Sequence, residues 1–516
     1  MSFLVLILLV ALPAAGAVLC AFAGGDAAGQ RRLGLLVSAV VAVLGVGLLC
    51  APVTPVQAAW FTLPGTGATV HFSLASDGLS AWLVQLATLI TPLAILGAAR
   101  AAGGRMREFV VAALAMESLI IGALLARDLV LFVLCYEAML VPMITLIAIF
   151  GGHERRDAAM RFVLFTMAGS VSLLVATWWI AASVGSTDLA TIAAAIPNLP
   201  TGTKYWLFWA TALAFLVKIP VVPLHGWQAH TYEQTSGAAA ALLAGVMAKL
   251  GIYGLLRFTI AWFPEQSAAY STLFIVLGVI ATVGGALAAI VQDDAKRMIA
   301  FSSLSHLGLL LAGIFTFRLD GLQGAGVLMV AHGFSIAALF LLIGALEARG
   351  GTTGLYDHGG LTARMPRLTV LFVVACLATA GLPGTANFVG EFLLLKSLFA
   401  HGNSWGSCCG LSGGVWLAGL AGLSVILTVV YLLVLVQRWF FGKAEAQPRA
   451  DLRDLDGGEM VAVVPLLLLS LALGFFAAPL TGGIGRDSAA LVEPAAEALH
   501  ERMIETPRTD RAPTHP

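Results

Sequence analysis

Residues 205–227 read YWLFWATALAFLVKIPVVPLHGW. The run is apolar up to Lys218, and then Pro220 and Pro223 interrupt it, followed by His225 and Gly226. A proline inside a helix removes a backbone donor and collides with the preceding turn. In a bilayer such a break survives only where protein or a water-filled cavity satisfies the freed groups. A second stretch, GLPGTANFVGEF at 381–392, has the same ingredients: Gly and Pro in an apolar setting, then the ionisable Glu391. Two interrupted helices at corresponding positions of two halves point to a transport site built on inverted repeats. Ordinary loop ends would give the same letters.

Composition supports a membrane reading. Of 516 residues, 59% are hydrophobic and 11% charged, against ~25% charged in an average soluble chain. A soluble fold of this length could not cover its surface with so few charges, whereas lipid solvates apolar side chains directly. The 56 glycines suit closely packed membrane helices. Net charge is zero, so no basic field invites nucleic acid. Cys20, Cys50, Cys135, Cys376, Cys408 and Cys409 show no paired metal spacing and read as small core residues. No metal or cofactor site is expected in the chain. Met1 to Ala23 lacks a basic leader region and reads as a retained first helix.

The expected fold class is all-α: a polytopic membrane protein of about fourteen spans of ~20 residues each. The breaks fall in the seventh and twelfth spans, which predicts two inverted five-helix repeats, each with a broken helix. The expected division is 1–107 as an N-terminal three-helix segment and 108–263 as the first repeat. The second repeat takes 264–437, and a last helix with a polar tail takes 438–516. The stretch 53–77 is a polar loop in which the alternating VHFSL allows a small hairpin. The tail after 480 reads as a solvated end. Lys and Arg concentrate in alternate connections, among them Arg31, Arg155, Lys296, Arg349 and Arg367. By the positive-inside bias those connections are cytoplasmic, and both termini are periplasmic in a bacterial inner membrane.

Ionisable groups inside apolar helices cost at least ~2.5–3.5 kcal/mol each, so each needs an offset. Glu117, Glu137, Lys218, Lys249 and Glu391 all sit between apolar neighbours. Glu137 and Lys218 make a natural pair: contact holds both charged, and separation loads or releases a proton. The same pair could serve as a static clamp. Lys249 stands mid-span with no opposite charge nearby in sequence, which suits a relay better than a structural role. Glu391 would be the terminal carrier after the second break. His306 and His332 can bridge Lys249 and Glu391, although a lone histidine on an apolar face is commonly a satisfied core residue. His225 and His230 flank the first break and suit proton uptake or capping. Asp293 and Asp294 ahead of Lys296 and Arg297 mark a helix start with its anchor.

The blocks CYEAMLVPM, KIPVVPLHGW, LLAGVMAKLGIYGLLRF, KRMIAFSSLSHLG, GLQGAGVLMVAHGFSIAALFLL and GLPGTANFVGEFLLL occur in this order between about residues 78 and 440. They resemble the antiporter-like membrane subunits of proton-pumping NADH–quinone oxidoreductase, respiratory complex I. Within that superfamily they resemble the subunit M family, whose mitochondrial counterpart is subunit 4. Paralogues, including subunits L and N and the multisubunit sodium/proton antiporters, look to carry Lys where this chain has Glu391. The resemblance implies that Glu137 and Lys218 form a regulating pair and that Lys249 is the central carrier. It further implies that His306 and His332 are the connecting axis, Glu391 the terminal carrier and Glu117 a further acidic position. It implies a membrane subunit coupling quinone reduction to proton pumping, with FMN, iron–sulfur clusters and quinone in partner subunits. The implied partners are other membrane-arm subunits, L and N among them, and the lipid bilayer. A multisubunit cation/proton antiporter, or a related complex with another electron-input module, shares these features. One departure stands out. The family usually reads like HxWLPDAHxxAPT after the first break, and here the sequence is HGWQAHTYEQTSG from His225.

Overall fold

Aspartates start many of the helices. Asp26, Asp77, Asp128, Asp188, Asp294 and Asp456 each accept a backbone N–H from the first turn that follows, satisfying donors that the helix itself cannot. The apolar runs do the rest. The structure, a computed structural model, describes residues 3–22, 24–51, 53–402, 407–408, 411–443 and 452–505. Among them, 12 helices are long and apolar enough to cross a bilayer. The two interrupted helices are additional to these. One is Thr201–Lys218 followed by the short helix Gln228–Gln234. The other is Pro366–Thr379 followed by Ala386–Gly402. The expected count of about fourteen includes both.

Burial grades from the rim to the middle. The apolar windows of Gly237–Ile260 and Leu319–Gly350 are 100% buried, against 33% for Phe3–Phe22. Lys249 and His332 therefore lie on the two most enclosed helices. Peripheral helices expose the opposite character: Arg155–Val184 presents Met160, Leu164, Val171 and Leu174 outward, the surface a bilayer covers.

The hairpin allowed by VHFSL is present, with Val56–Thr62 antiparallel to Thr69–Leu74. Its second strand is tied down by Asp128, which is wholly buried. Asp128 accepts from His71 N at 2.9 Å, Thr187 Oγ1 at 2.5 Å, Val130 N at 2.9 Å and Leu131 N at 3.2 Å. Asp128→Ala removes the helix cap, worth ~1 kcal/mol, and leaves buried donors unpaired at ~1–3 kcal/mol each. A clear loss of thermal stability in detergent is expected, by scanning fluorimetry. An unchanged Tm would show that the pocket finds water instead.

Asp294 repeats this motif elsewhere. It caps Ala295–Ile314, takes the Thr353 hydroxyl and bridges Gly354, as Asp128 takes Thr187 and bridges Asp188. Leu129 N donates to Thr187 O at 2.8 Å, and Ala295 N donates to Thr353 O at 2.9 Å. The Asp128 copy lies beside the hairpin. The Asp294 copy lies beside the basic residues.

Those basic residues are knit together. Lys296 pairs with Glu347 at 2.7 Å, and Arg349 pairs with Glu459 at 2.5 Å. Arg100 reaches Asp456 at 3.0 Å and Glu459 at 3.1 Å, while Arg367 N donates to Asp454 at 2.8 Å. On the hairpin side, Asp77 pairs with Arg127 at 2.8 Å and with Arg257. The Asp456 carboxyl is held below the usual carboxylate range, chiefly by the Glu459 backbone N–H, with the Arg100 and Arg349 guanidinium charges helping.

One expectation is corrected. The segment after 480 is a helix, Ala478–Glu505. It buries Leu480, Ile484, Val492 and Ala495 on the chain's own helices, among them Gly78–Gly97, Pro264–Ile290 and Leu319–Gly350. These residues fall on one side of a helix, so the face they form is covered and only the opposite face stays exposed. Cys409 lies outside the described residues, and of Cys408 only the backbone is described.

Candidate functional site

The helix that carries Lys249 is not regular. Two π turns, Leu243–Met247 and Leu255–Ile260, flank its middle. A π turn leaves a carbonyl without its usual helical partner and occurs frequently at functional sites. Here the Lys249 ammonium fills that role, donating to Ala244 O at 2.6 Å. It also lies 2.9 Å from Nδ1 of His332. Lys249 is 1% exposed.

From His332 the row continues. Its ring centroid is 4.9 Å from that of His306, with the planes tilted by 36°. Nδ1 of His306 lies 2.8 Å from Ser302 O. A carbonyl only accepts, so this nitrogen carries hydrogen and donates. Nε2 of His306 then faces two oxygens, Glu391 Oε1 at 3.1 Å and Thr379 O at 3.2 Å. His306 Nε2 is thus within hydrogen-bond reach of the Glu391 carboxyl group and of the Thr379 carbonyl. Four residues separated by 83 and 85 positions in sequence thus form one row: Lys249, His332, His306, Glu391.

The second break shapes the end of that row. Gly381 has φ +70°, and a Cβ there would lie 2.3 Å from Glu391 Oε2. The carboxylate packs against bare backbone that no other residue could offer without strain. Asn387, four residues before Glu391, donates to Ser335 Oγ at 3.2 Å, and Ser335 reaches His332 O at 3.4 Å. Tyr431 donates to Ser302 Oγ at 2.7 Å. Asn387 and Tyr431 were not singled out from sequence. Each is a buried polar group in a largely apolar helix that also carries other polar residues, so no pattern sets it apart.

Lys218 and Glu137 form a separate centre. Lys218 is the last residue of Thr201–Lys218, where helix carbonyls favour a cation. Its ammonium lies 5.0 Å from the Tyr136 ring centroid and 5.8 Å from that of Phe162. The expected contact pair is looser than anticipated. Among the described residues no ion pair within 4.0 Å joins Glu137 to Lys218, although the two charges act on each other. Aromatic faces take up the cation instead. Glu137 Oε1 is buried without a hydrogen-bond partner. Trp227 Nε1 donates to Val217 O at 3.1 Å and so ties the chain together across the break.

The remaining candidates sit apart. Glu117 is 2% exposed, and neither of its oxygens has a hydrogen-bond partner. Nδ1 of His225 is likewise unpartnered. His230 is near the basic face, with Nε2 3.1 Å from Asp157 and 3.7 Å from Glu154. Lys296, read as an anchor, is 2% exposed and also donates to Thr235 O at 3.2 Å. Ser305, beside His306 in sequence, donates to Thr282 O at 2.7 Å. The departing loop is well knit. Gln234, near the family's later proline, accepts from Gly152 N at 2.7 Å and from Glu154 N at 2.9 Å, and Glu233 pairs with Arg297 at 3.4 Å.

Residues 126–416 match the family described as NADH:quinone oxidoreductase/Mrp antiporter, TM. NADH-quinone oxidoreductase subunit M of Rhodobacter capsulatus is 37% identical over 435 residues, covering 82% of this chain and 82% of that one. NADH-ubiquinone oxidoreductase chain 4 of Marchantia polymorpha is 33% identical, over 79% of this chain and 80% of that one. Among solved structures, a chain of respiratory complex I from Thermus thermophilus superposes with TM-score 0.84 at 32% identity, covering 96% of this chain and 99% of that one. A chain of the Mrp complex from Dietzia superposes with TM-score 0.80 at 24% identity, over 96% and 99%, a likeness of fold.

Proposed function

Because the chain belongs to the NADH:quinone oxidoreductase/Mrp antiporter membrane family, we propose that Lys249, His332, His306 and Glu391 are its proton relay. The protein is a proton-translocating membrane subunit of NADH–quinone oxidoreductase. The observation that carries the relay reading is the row itself, with contacts of 2.9 Å at one end and 3.1 Å at the other. With Lys249 as an ammonium, Nδ1 of His332 accepts and its Nε2 carries hydrogen. That Nε2 and Asn387 Oδ1 are both buried without partners. One water between them would complete the route from His332 towards Glu391. Both nitrogens of His306 are engaged, so it holds and orients the Glu391 proton.

Glu137 and Lys218 are the gate in this reading. Lys218 rests on rings at present, and a swing onto Glu137 changes the field that Lys249 feels. Moving one charge against ~150 mV costs ~3.5 kcal/mol, at ~2.3 kcal/mol per 100 mV; remaking one buried pair is of that order. Glu117, His225 and His230 are supporting groups. The matched Asp128–Thr187 and Asp294–Thr353 motifs, on opposite sides of the molecule, support inverted repeats at 108–263 and 264–437. We place the basic face in the cytoplasm of a bacterial cell and both termini in the periplasm. The chain itself supplies no redox centre; FMN, iron–sulfur clusters and quinone belong to partner subunits. Its neighbours are further membrane-arm subunits, including antiporter-like subunits L and N.

The test is purification of the membrane complex through a tag on this chain. Flavin and iron–sulfur subunits should co-purify, and the liposome-reconstituted complex should take up protons when a donor reduces quinone. Sodium-dependent flux without those subunits would sink this reading in favour of an antiporter.

A further inference from the structure

On the hairpin side, the helix that carries Lys249 runs into a cluster of charge. Lys249, Tyr253 and Arg257 follow one another at intervals of four, and residues so spaced on a helix are neighbours on one face. Tyr253 is buried, and its hydroxyl donates to Leu124 O at 2.8 Å. The Arg257 guanidinium lies 5.3 Å from the Tyr253 ring centroid. Arg257 pairs in turn with Asp77, which also takes Arg127 Nη2 at 2.8 Å. No more than 22% of any of these three charged side chains is accessible.

Outside the cluster, a hollow of about 500 Å³ opens on the hairpin side, lined by Leu49, Val53, Ser76, Asp77, Trp82 and Gly483. It is roomy and polar enough at Asp77 to admit water. Along the helix face, Tyr253 alone lies between Arg257 and Lys249. The cluster is pinned in place. Asp77 caps Gly78–Gly97 by accepting from Ser80 N at 2.9 Å, and Arg127 N donates to Ser73 O of the hairpin at 2.8 Å. Two guanidinium groups on one carboxylate leave a net positive charge. Arginine does not exchange its proton at physiological pH, and a fixed arginine charge is a barrier to protons and other cations.

Resting on the relay reading above, we propose that Arg257 and Arg127, held on Asp77, are an electrostatic plug between the hollow and Lys249. Without it a proton on Lys249 has a short way out past Tyr253, and a proton outside can return by the same way. The plug closes that short circuit, so that protons leave past Glu391. Its action is charge, and Asp77 serves to hold the two arginines in position.

The test uses the intact complex in liposomes, without donor, under an imposed pH gradient. Arg257→Gln should raise passive proton flow about tenfold, the effect of one unit charge ~12 Å away at a protein-like dielectric. With donor present, quinone reduction should continue while net proton accumulation falls. Arg257→Lys keeps the charge and should stay as tight as the parent. So should Asp77→Asn, which breaks the ion pairs but leaves both arginines. Passive flow in Arg257→Gln within twofold of the parent would overturn the plug, and so would a leak in Asp77→Asn as large as that in Arg257→Gln, because packing would then be the seal. Should Arg257→Gln not assemble, Arg127→Gln takes its place with the same outcomes. Adding Lys249→Ala to the leaking variant should close the leak; a leak that persists means the arginines do not guard Lys249. Lys249→Ala alone separates the two readings. Lost pumping there, with no leak in Arg257→Gln, removes the plug and leaves the relay standing. Normal pumping there removes the relay itself.

Discussion

Lys249→Ala is expected to slow donor-driven proton uptake and coupled quinone reduction together, by at least about tenfold, since a positioned proton-transfer group contributes ~10²–10⁴. The argument rests on its contacts. Its ammonium is the only charge reaching His332 Nδ1, at 2.9 Å, among the described residues. Its other bond, to Ala244 O, satisfies a carbonyl left by the π turn. Alanine removes the proton source and orphans that carbonyl, so a drop alone could reflect damaged packing. Lys249→Arg separates the two causes. Arginine keeps the charge and can serve the carbonyl, but it does not release a proton at physiological pH. A relay predicts that the Arg variant assembles and stays inactive. Recovery of pumping with Arg would leave Lys249 as a structural cation only.

Glu391→Gln is expected to have an effect of similar size with almost no cost to folding. The amide has the shape of the carboxyl and can still bond His306 Nε2, which lies 3.1 Å from Oε1. It also fits against Gly381, where the carboxylate meets backbone without a Cβ between. Thermal stability should stay close to that of the parent, because the hydrogen bond is replaced rather than lost. Proton uptake should fall at least about tenfold, because an amide cannot carry the proton onward. Proton uptake and Tm measured on the same preparation decide the matter. Full activity in the Gln variant would mean that protons leave elsewhere.

The two predictions draw on different levels of the molecule. That Lys249 and Glu391 are candidates for a functional role is legible in the sequence, because an ionisable group inside an apolar run is costly to keep. The broken helices were legible for the same kind of reason: proline and glycine have backbone consequences wherever they stand. The hairpin could be read from alternation. The tail helix is legible in the spacing of Leu480, Ile484 and Val492, but the Asp, Glu, Arg and Pro residues after 480 point to a solvated end.

What the sequence determined by itself is the list of participants and the solvent they live in. Composition, the apolar runs and the buried charges fix a membrane bundle with a few expensive groups inside. Tertiary structure alone decided how they connect. The contact of Lys249 with His332 and that of His306 with Glu391 each join residues far apart along the chain, and no local pattern encodes such distances. The π turns around Lys249 are seen only in the folded helix. Glu137 and Lys218 show the limit most plainly. Opposite charges suggest a contact, yet aromatic rings from neighbouring helices occupy the near side of the ammonium. Charge is a property of the residue, whereas a partner is a property of the fold.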